Sequence, residues 1–148
     1  MSWMTKLIRW LFLTKEIVAK TGEVHFRRYR LLETPWLRFY IHQILISDYD
    51  YHFHDHPWNF KSFLLRGSYR EDCTYHPSHF ATHSRQYDAG QTVTHDGRDS
   101  HKIALRTSEV WTFVVAWGRR REWGYRLSPT SWIGHQEYRQ LKNEGKLR

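Results

Sequence analysis

The stretch Asp48-Tyr49-Asp50-Tyr51-His52-Phe53-His54-Asp55-His56-Pro57-Trp58 places three histidines two residues apart. Side chains at i, i+2 and i+4 of an extended strand point to one face. The spacing therefore predicts His52, His54 and His56 turned toward one cavity. Two imidazoles on one strand face make a compact pair of nitrogen ligands for Zn, Fe, Ni, Cu or Mn. A third ligand has to come from elsewhere. His101 is the leading candidate, because it follows the turn-rich Asp96-Gly97-Arg98-Asp99-Ser100 and opens a strand.

Parity extends this reading along the chain. If His54 and His56 point inward, so do Trp58, Phe60, Ser62 and Leu64, an apolar and aromatic wall with one hydroxyl, as in ligand pockets. Asn59, Lys61, Phe63 and Leu65 take the other face, a mixed surface suited to sheet packing or to a dimer contact. Tyr40 and His42, alternating with Ile44 on a neighbouring strand, are read as lining the same pocket, as are Trp111 and Phe113. His52 is read as a flank of the pocket rather than a ligand. Asp55 points away from its neighbours, or orients a ligand histidine if the strand bends there. His25, His76, His79, His83, His95 and His135 read as surface or turn residues, with His95, close to the Gly90–Gly97 turn, as the first exception among them.

Strand signals surround the motif. Short apolar or β-branched runs at Glu16–Ala19, Val24–Leu32, Trp36–Ile46, Trp58–Tyr69, Arg85–Tyr87, Thr92–Thr94, Lys102–Leu105 and Glu122–Leu127 are separated by turn residues. Val110–Trp117 is apolar on both faces and reads as a fully buried central strand. Eight to ten short strands with helices only at the ends favour an antiparallel sandwich or barrel. Residues 1–14 read as an amphipathic segment, with Trp3, Leu7, Trp10 and Leu11 at helical spacing. That segment is too short to span a bilayer, and no small-residue cleavage site follows it. The barrel is expected over residues 15–134 and a tail, helical from His135 to Lys142, over residues 135–148.

The chain has 148 residues, one cysteine and a net charge of +8 from 23 Lys+Arg against 15 Asp+Glu. This length suits one domain. Aromatic residues make up 17% of the chain, which excludes a disordered polymer. A single cysteine, Cys73, excludes a disulfide-stapled secreted scaffold and fits a cytoplasmic setting. The positive charge is diffuse and comes with no helix-turn-helix, zinc-finger or RNA-binding signature, so it lends a nucleic-acid partner only weak support. The run Arg119-Arg120-Arg121 reads as a solvated strand end, or as a grip on an anionic substrate at the mouth of a barrel. No Gly-rich phosphate loop and no Gly-x-Ser-x-Gly elbow occurs.

The histidine pattern resembles the cupin superfamily, small jelly-roll barrels with a metal or ligand site inside. The first cupin motif reads G-x5-H-x-H-x(3,4)-E-x6-G. Here His54 and His56 match the histidine pair and Gly67 the closing glycine, while Asp48 stands at the leading Gly position and Phe60 at the Glu position. The second motif reads G-x5-P-x-G-x2-H-x3-N. Gly90 and His101 match it; Asp96 replaces the Pro, Gly97 lies one place early, and Leu105 replaces the Asn. His54-Asp55-His56-Pro57-Trp58, Gly67-Ser68-Tyr69-Arg70-Glu71, Trp111-Thr112 and Arg121-Glu122-Trp123-Gly124-Tyr125 are similar to a group of small cupin-like proteins of bacteria and their phages.

The resemblance implies a jelly-roll β-barrel with a divalent metal ion (Fe, Zn, Ni or Mn) held by His54, His56 and His101. Phe60 cannot ligate, so the carboxylate of the usual set is missing. Three protein ligands still leave open positions for water or substrate. Two functional readings follow. One is a metal-dependent enzyme acting on a small polar molecule, a mononuclear oxygenase first and an isomerase or lyase next. The other is a non-enzymatic barrel that binds a small ligand, a partner protein or nucleic acid. Cupin-like barrels often pair through a sheet face, so the resemblance also implies a homodimer.

Overall fold

The computed structural model describes residues 6–7, 12–18, 22–48, 52–74 and 82–147. In chain order the strands are β1 (Leu13–Val18), β2 (Val24–Glu33), β3 (Leu37–Ile44), β4 (Phe53–His54), β5 (Asn59–Arg66), β6 (Ser68–Thr74), β7 (Thr82–Asp88), β8 (Thr92–His95), β9 (Ser100–Leu105), β10 (Val110–Trp117), β11 (Gly124–Ser128) and β12 (Ser131–Gly134). Helix α1 (His135–Asn143) closes the chain. The strands form two antiparallel sheets, in the orders β1-β2-β3-β10-β5-β8 and β12-β11-β4-β9-β6-β7. The chain crosses repeatedly from one sheet to the other, and the core and the histidines lie between them. Most of the expected residues 1–14 segment, namely 1–5 and 8–11, lies outside the described residues. No described helix is long and apolar enough to cross a membrane.

Period-two alternation builds the interior. On β5, Phe60, Ser62 and Leu64 are buried, while Asn59, Lys61 and Phe63 are half-exposed. On β10, Val110, Thr112, Val114 and Ala116 are buried. Leu64, Tyr69, Tyr87, Val93 and Val110 pack into one core cluster. Tyr40, Phe60, Val114 and Ala116 form a second, with Trp58 against it. Full burial of side chains of this size is worth about 1.5–3 kcal/mol each.

Three expectations need correction. β10 is central, between β3 and β5, but only one of its faces is buried. Trp111 and Phe113 therefore do not line the pocket. They stand on the outer face, where Trp111 stacks on Tyr29 and Phe113 packs between Phe39 and Phe63. The run Trp58–Tyr69, expected to end near Gly67, does break there, and Ser68 and Tyr69 beyond the break belong to a strand of the other sheet. Gly67 has φ +86°, a region L-residues avoid, and a Cβ there would lie 2.3 Å from the Glu109 carbonyl oxygen. Finally, the histidine stretch is not one extended strand. Only Phe53 and His54 pair as β4, and the chain turns at Pro57. The three-residue parity therefore fails at His52, whose Nδ1 lies 3.2 Å from the Tyr138 hydroxyl of α1, away from the cavity.

Candidate metal centre

His54 and His101 come together through strand pairing: they are direct Cα partners across β4 and β9, and Cys73 of β6 is opposite His101 on the other side. His56 arrives by a different device. Its backbone N–H donates to the Gly97 carbonyl at 2.9 Å, and the Gly97 N–H donates to the Asn59 side-chain oxygen at 2.8 Å. A Cβ on Gly97 would lie 2.7 Å from the Trp58 carbonyl oxygen, so this clasp closes only around a glycine. The turn before β9 is thereby pinned to the turn after β4.

The result is a convergence of imidazoles. One nitrogen each of His54, His56 and His101 falls within 4.8 Å of the other two. Ring centroids lie 5.2 Å apart for His54 and His56, 4.9 Å for His54 and His101, and 4.8 Å for His56 and His101. The Nε2 atoms of His56 and His101 are 2.7 Å apart. An ion about 2.0–2.1 Å from each of two imidazoles holds their nitrogens roughly 3 Å apart, so the pair needs little movement to accept one. Desolvation, followed by the nearby His101, His54 and His95 rings, holds the His56 pKa well below its ordinary value. A neutral imidazole is the form that ligates.

A second buried group backs the first. Glu71, 3% exposed on β6, receives His101 Nδ1 on Oε1, and the same oxygen accepts from His95 Nε2 at 2.9 Å. Burial alone would raise this carboxyl, but the hydrogen bond and charge of His101, then those of His95, hold it down to about 2. An ionised carboxylate only accepts. His101 must therefore donate from Nδ1, which turns its Nε2 toward His56. His95 is also shielded from water, yet bonds to Asp99, Cys73 and Glu71 outweigh that desolvation and push it up to about 12. Glu71, His95 and His101 form another convergent donor group. Cys73 is buried, with Sγ 4.0 Å from His95 Nδ1, and burial raises its thiol.

Reading from sequence missed Glu71 and reached His95 only as the exception among the histidines read as surface or turn residues. The available signal was on β6, where Tyr69, Glu71 and Cys73 alternate inward; a glutamate at the middle inward position calls for buried cationic partners. His95 is not a surface residue but 2% exposed, and His25 is buried rather than in a turn. His83 is exposed, and His135 stacks on Trp123 at 4.6 Å. His76 and His79 lie outside the described residues. Asp55 does not orient a histidine. Its carboxylate accepts from the Gly124 N–H at 2.7 Å and from Trp132 Nε1 at 2.9 Å, with Arg121 at 3.3 Å, and so ties β11 and β12 to the histidine turn.

The centre opens into a cavity of about 260 Å³ whose walls include His42, His54, His56, Trp58, Phe60 and Ser62. His52, Trp111 and Phe113 are not on its walls. Tyr40 is not on them either; it is buried behind, stacked against His42 and Trp58. Phe60 packs edge-on against His56 at 4.7 Å, an apolar ring where the sequence motif would have a carboxylate.

Solved structures share this architecture. HppE in its Fe(II) form matches with a TM-score of 0.57 at 14% identity, over 70% of this chain and 55% of that one. The fold is of the cupin type, as in these neighbours. DMSP lyase DddQ from Ruegeria pomeroyi DSS-3 matches with a TM-score of 0.53 at 20% identity, over 70% and 56%. An HTH_3 family transcriptional regulator from Vibrio cholerae matches with a TM-score of 0.51 at 11% identity, over 78% and 60%. The chain thus spans little more than half the length of these structures. No protein-family model matches the sequence, and no curated protein matches it.

Proposed function

We propose that the protein is a metal-dependent cupin enzyme that acts on a small polar molecule, with His54, His56 and His101 as the ligands of one divalent ion. The observation that carries this reading is the convergence of three imidazole nitrogens at the wall of a cavity, with one ring fixed in its ligating tautomer by a buried carboxylate. The donor set fits Fe, Zn, Ni or Mn. The Fe(II) form of the neighbour HppE supports iron, and with it a mononuclear oxygenase, while the neighbour DMSP lyase DddQ supports lyase chemistry as the alternative.

A metal held by three protein ligands keeps open positions and supplies Lewis acidity or, for iron, redox chemistry with dioxygen. The chain supplies the rest. Glu71 holds the His101 proton on Nδ1 and turns Nε2 inward. Trp58, Phe60 and Val114 make a wall that excludes water from one side of the cavity. Ser62 and Thr112 present hydroxyls that can orient a polar substrate. Arg121, bonded to the Gly97 carbonyl and to Asp55, braces the turn that carries His56.

Elemental analysis of untagged protein, purified without chelator, tests the assignment. The wild type should carry about one transition-metal ion per chain, and His54→Ala and His101→Ala should each lose most of it. Substoichiometric metal that these substitutions leave unchanged would overturn the reading. It would leave a ligand-binding barrel, a role compatible with the regulator from Vibrio cholerae among its structural neighbours.

A further inference from the structure

The cavity that holds the histidines also gathers cations at its other side. A single row crosses the first sheet: Lys15 of β1 is the Cα partner of Arg28 on β2, Arg28 of His42 on β3, and His42 of Thr112 on β10. All four residues line the cavity, and Arg120, from the loop after β10, joins them. Two like charges directly opposite each other on neighbouring strands are destabilising. A sheet that keeps such a pair at the wall of a cavity does so at a cost in stability, the pattern expected of a functional site.

Arg28 is held in place by its surroundings. Its Nε donates to His42 Nε2 at 3.1 Å, and its guanidinium lies 4.7 Å from the centre of the Tyr40 ring and 5.8 Å from that of Trp58. A cation fixed by aromatic faces loses little further freedom when it meets an anion. Desolvation, and then Arg28, Arg139 and Arg120, lower the Lys15 pKa, so the positive field at this end is dense.

Among the described residues, the carboxylates on the cavity wall are Asp48 and Glu71, and each has its own partners. Asp48 accepts from the Ile103 N–H at 2.8 Å and faces His25, and Glu71 is taken by His95 and His101. Glu33, whose charge reaches Arg28, lies 3.5 Å from Arg30 in an exposed pair. The remaining walls are largely apolar, with Ile17, Phe26, Ile44, Val93 and Ile103 among them. The cavity is small, about 260 Å³.

From this juxtaposition we infer that the substrate is a small organic anion, with its carboxylate- or phosphate-type oxygens held by Lys15, Arg28 and Arg120 and its apolar body directed toward the histidine centre. This deepens the proposed function and rests on it for the chemistry at the other end of the molecule. The cations select the ligand and orient it; the histidines do not take part in that selection.

The test is calorimetric titration of the zinc-loaded wild type, at low salt, with propionate, propylphosphonate and inorganic phosphate, and with neutral propionamide as control. At least one of the three anions should bind, and propionamide should bind at least roughly tenfold more weakly. Lys15→Gln and Arg120→Gln, both at exposed positions, should each weaken the anion by roughly tenfold and leave the zinc content unchanged. Carboxylate or phosphate as the preferred head group is read from the order of the three anions. Equal binding of acid and amide, no binding of any anion, or anion binding that both variants retain would overturn the inference, the last because neither Lys15 nor Arg120 would then hold the anion. Failure of the metal reading shows separately, as absence of zinc from a wild type that still binds anions through Lys15 and Arg120.

Discussion

The Glu71 carboxylate accepts the Nδ1 proton of His101, and this one contact decides which nitrogen of His101 faces His56, 2.7 Å away. The strands make the contact possible: β6 and β9 are neighbours, with Glu71 opposite Ile103 and Cys73 opposite His101. A carboxylate behind a ligating histidine fixes the tautomer and raises the basicity of the ring. Glu71→Gln keeps the shape and removes the charge. Metal affinity should fall by about 10–100-fold, while the far-ultraviolet dichroism stays that of a β protein. An affinity within twofold of the wild type would show that Glu71 serves packing alone.

Asp48 gives the protein an acid-sensitive joint. Burial raises its carboxyl, but the bond from His25, the charge of His54 and the Ile103 N–H outweigh burial and bring it from its ordinary 3.8 down to about 2. A carboxylate with a depressed folded-state pKa stabilises the fold fully above its unfolded pKa, and the contribution disappears as pH falls from about 3.8 toward 2. The contribution is about 2 kcal/mol. Urea unfolding of metal-free protein from pH 5 to pH 2.5 should therefore show a steeper loss for the wild type than for Asp48→Asn. Parallel curves for the two proteins would remove Asp48 from the acid response.

The sheets and the histidine pair were legible because both depend on local pattern. Alternation along β5 placed Phe60, Ser62 and Leu64 inward, and the turn-rich stretch before His101 marked the start of a strand. What stayed hidden depends on neighbours distant in sequence. The wall role of Trp111 and Phe113 failed because a strand apolar on both sides gives no parity of its own; β3 and β5 decide which side of β10 faces inward. His52 failed because it sits at a bend just before β4, where strand parity no longer sets the direction of its ring, and the ring meets Tyr138. Glu71 was hidden for the opposite reason. Its inward position was regular, but its two histidine partners lie 24 and 30 residues away.

Phe60 occupies the place in the histidine motif where a ligating carboxylate would be expected, and its ring contacts His56, with His95 5.2 Å from it. It belongs to the core cluster with Tyr40, Val114 and Ala116. Phe60→Ala should cost about 3–5 kcal/mol of stability, measured by chemical denaturation. The same variant, kept cold and folded, should still bind metal near the wild-type stoichiometry, since no donor atom is lost. A folded Phe60→Ala protein that carries no metal would mean that the His56 ring depends on this edge contact for its orientation.

Gly67 and Gly22 separate backbone strain from collision. Both have left-handed backbones, at φ +86° and +85°. A Cβ at Gly22 meets nothing within 4 Å, whereas one at Gly67 meets the Glu109 carbonyl oxygen at 2.3 Å and Thr107 Oγ1 at 2.8 Å. Gly22→Ala should cost about 1–2 kcal/mol, the strain of the conformation alone. Gly67→Ala adds a clash with backbone that cannot swing aside, and should cost at least about 2 kcal/mol more. Gly67 is also the joint at which the chain leaves β5 for β6, four residues before Glu71. A shift of β6 moves the carboxylate that orients His101, so Gly67→Ala should weaken metal binding as well, while Gly22→Ala leaves it unchanged. Thermal melts with and without added zinc read both effects: the zinc-induced rise in Tm should shrink for Gly67→Ala only, and an equal rise in both variants would show that β6 absorbs the shift before Glu71.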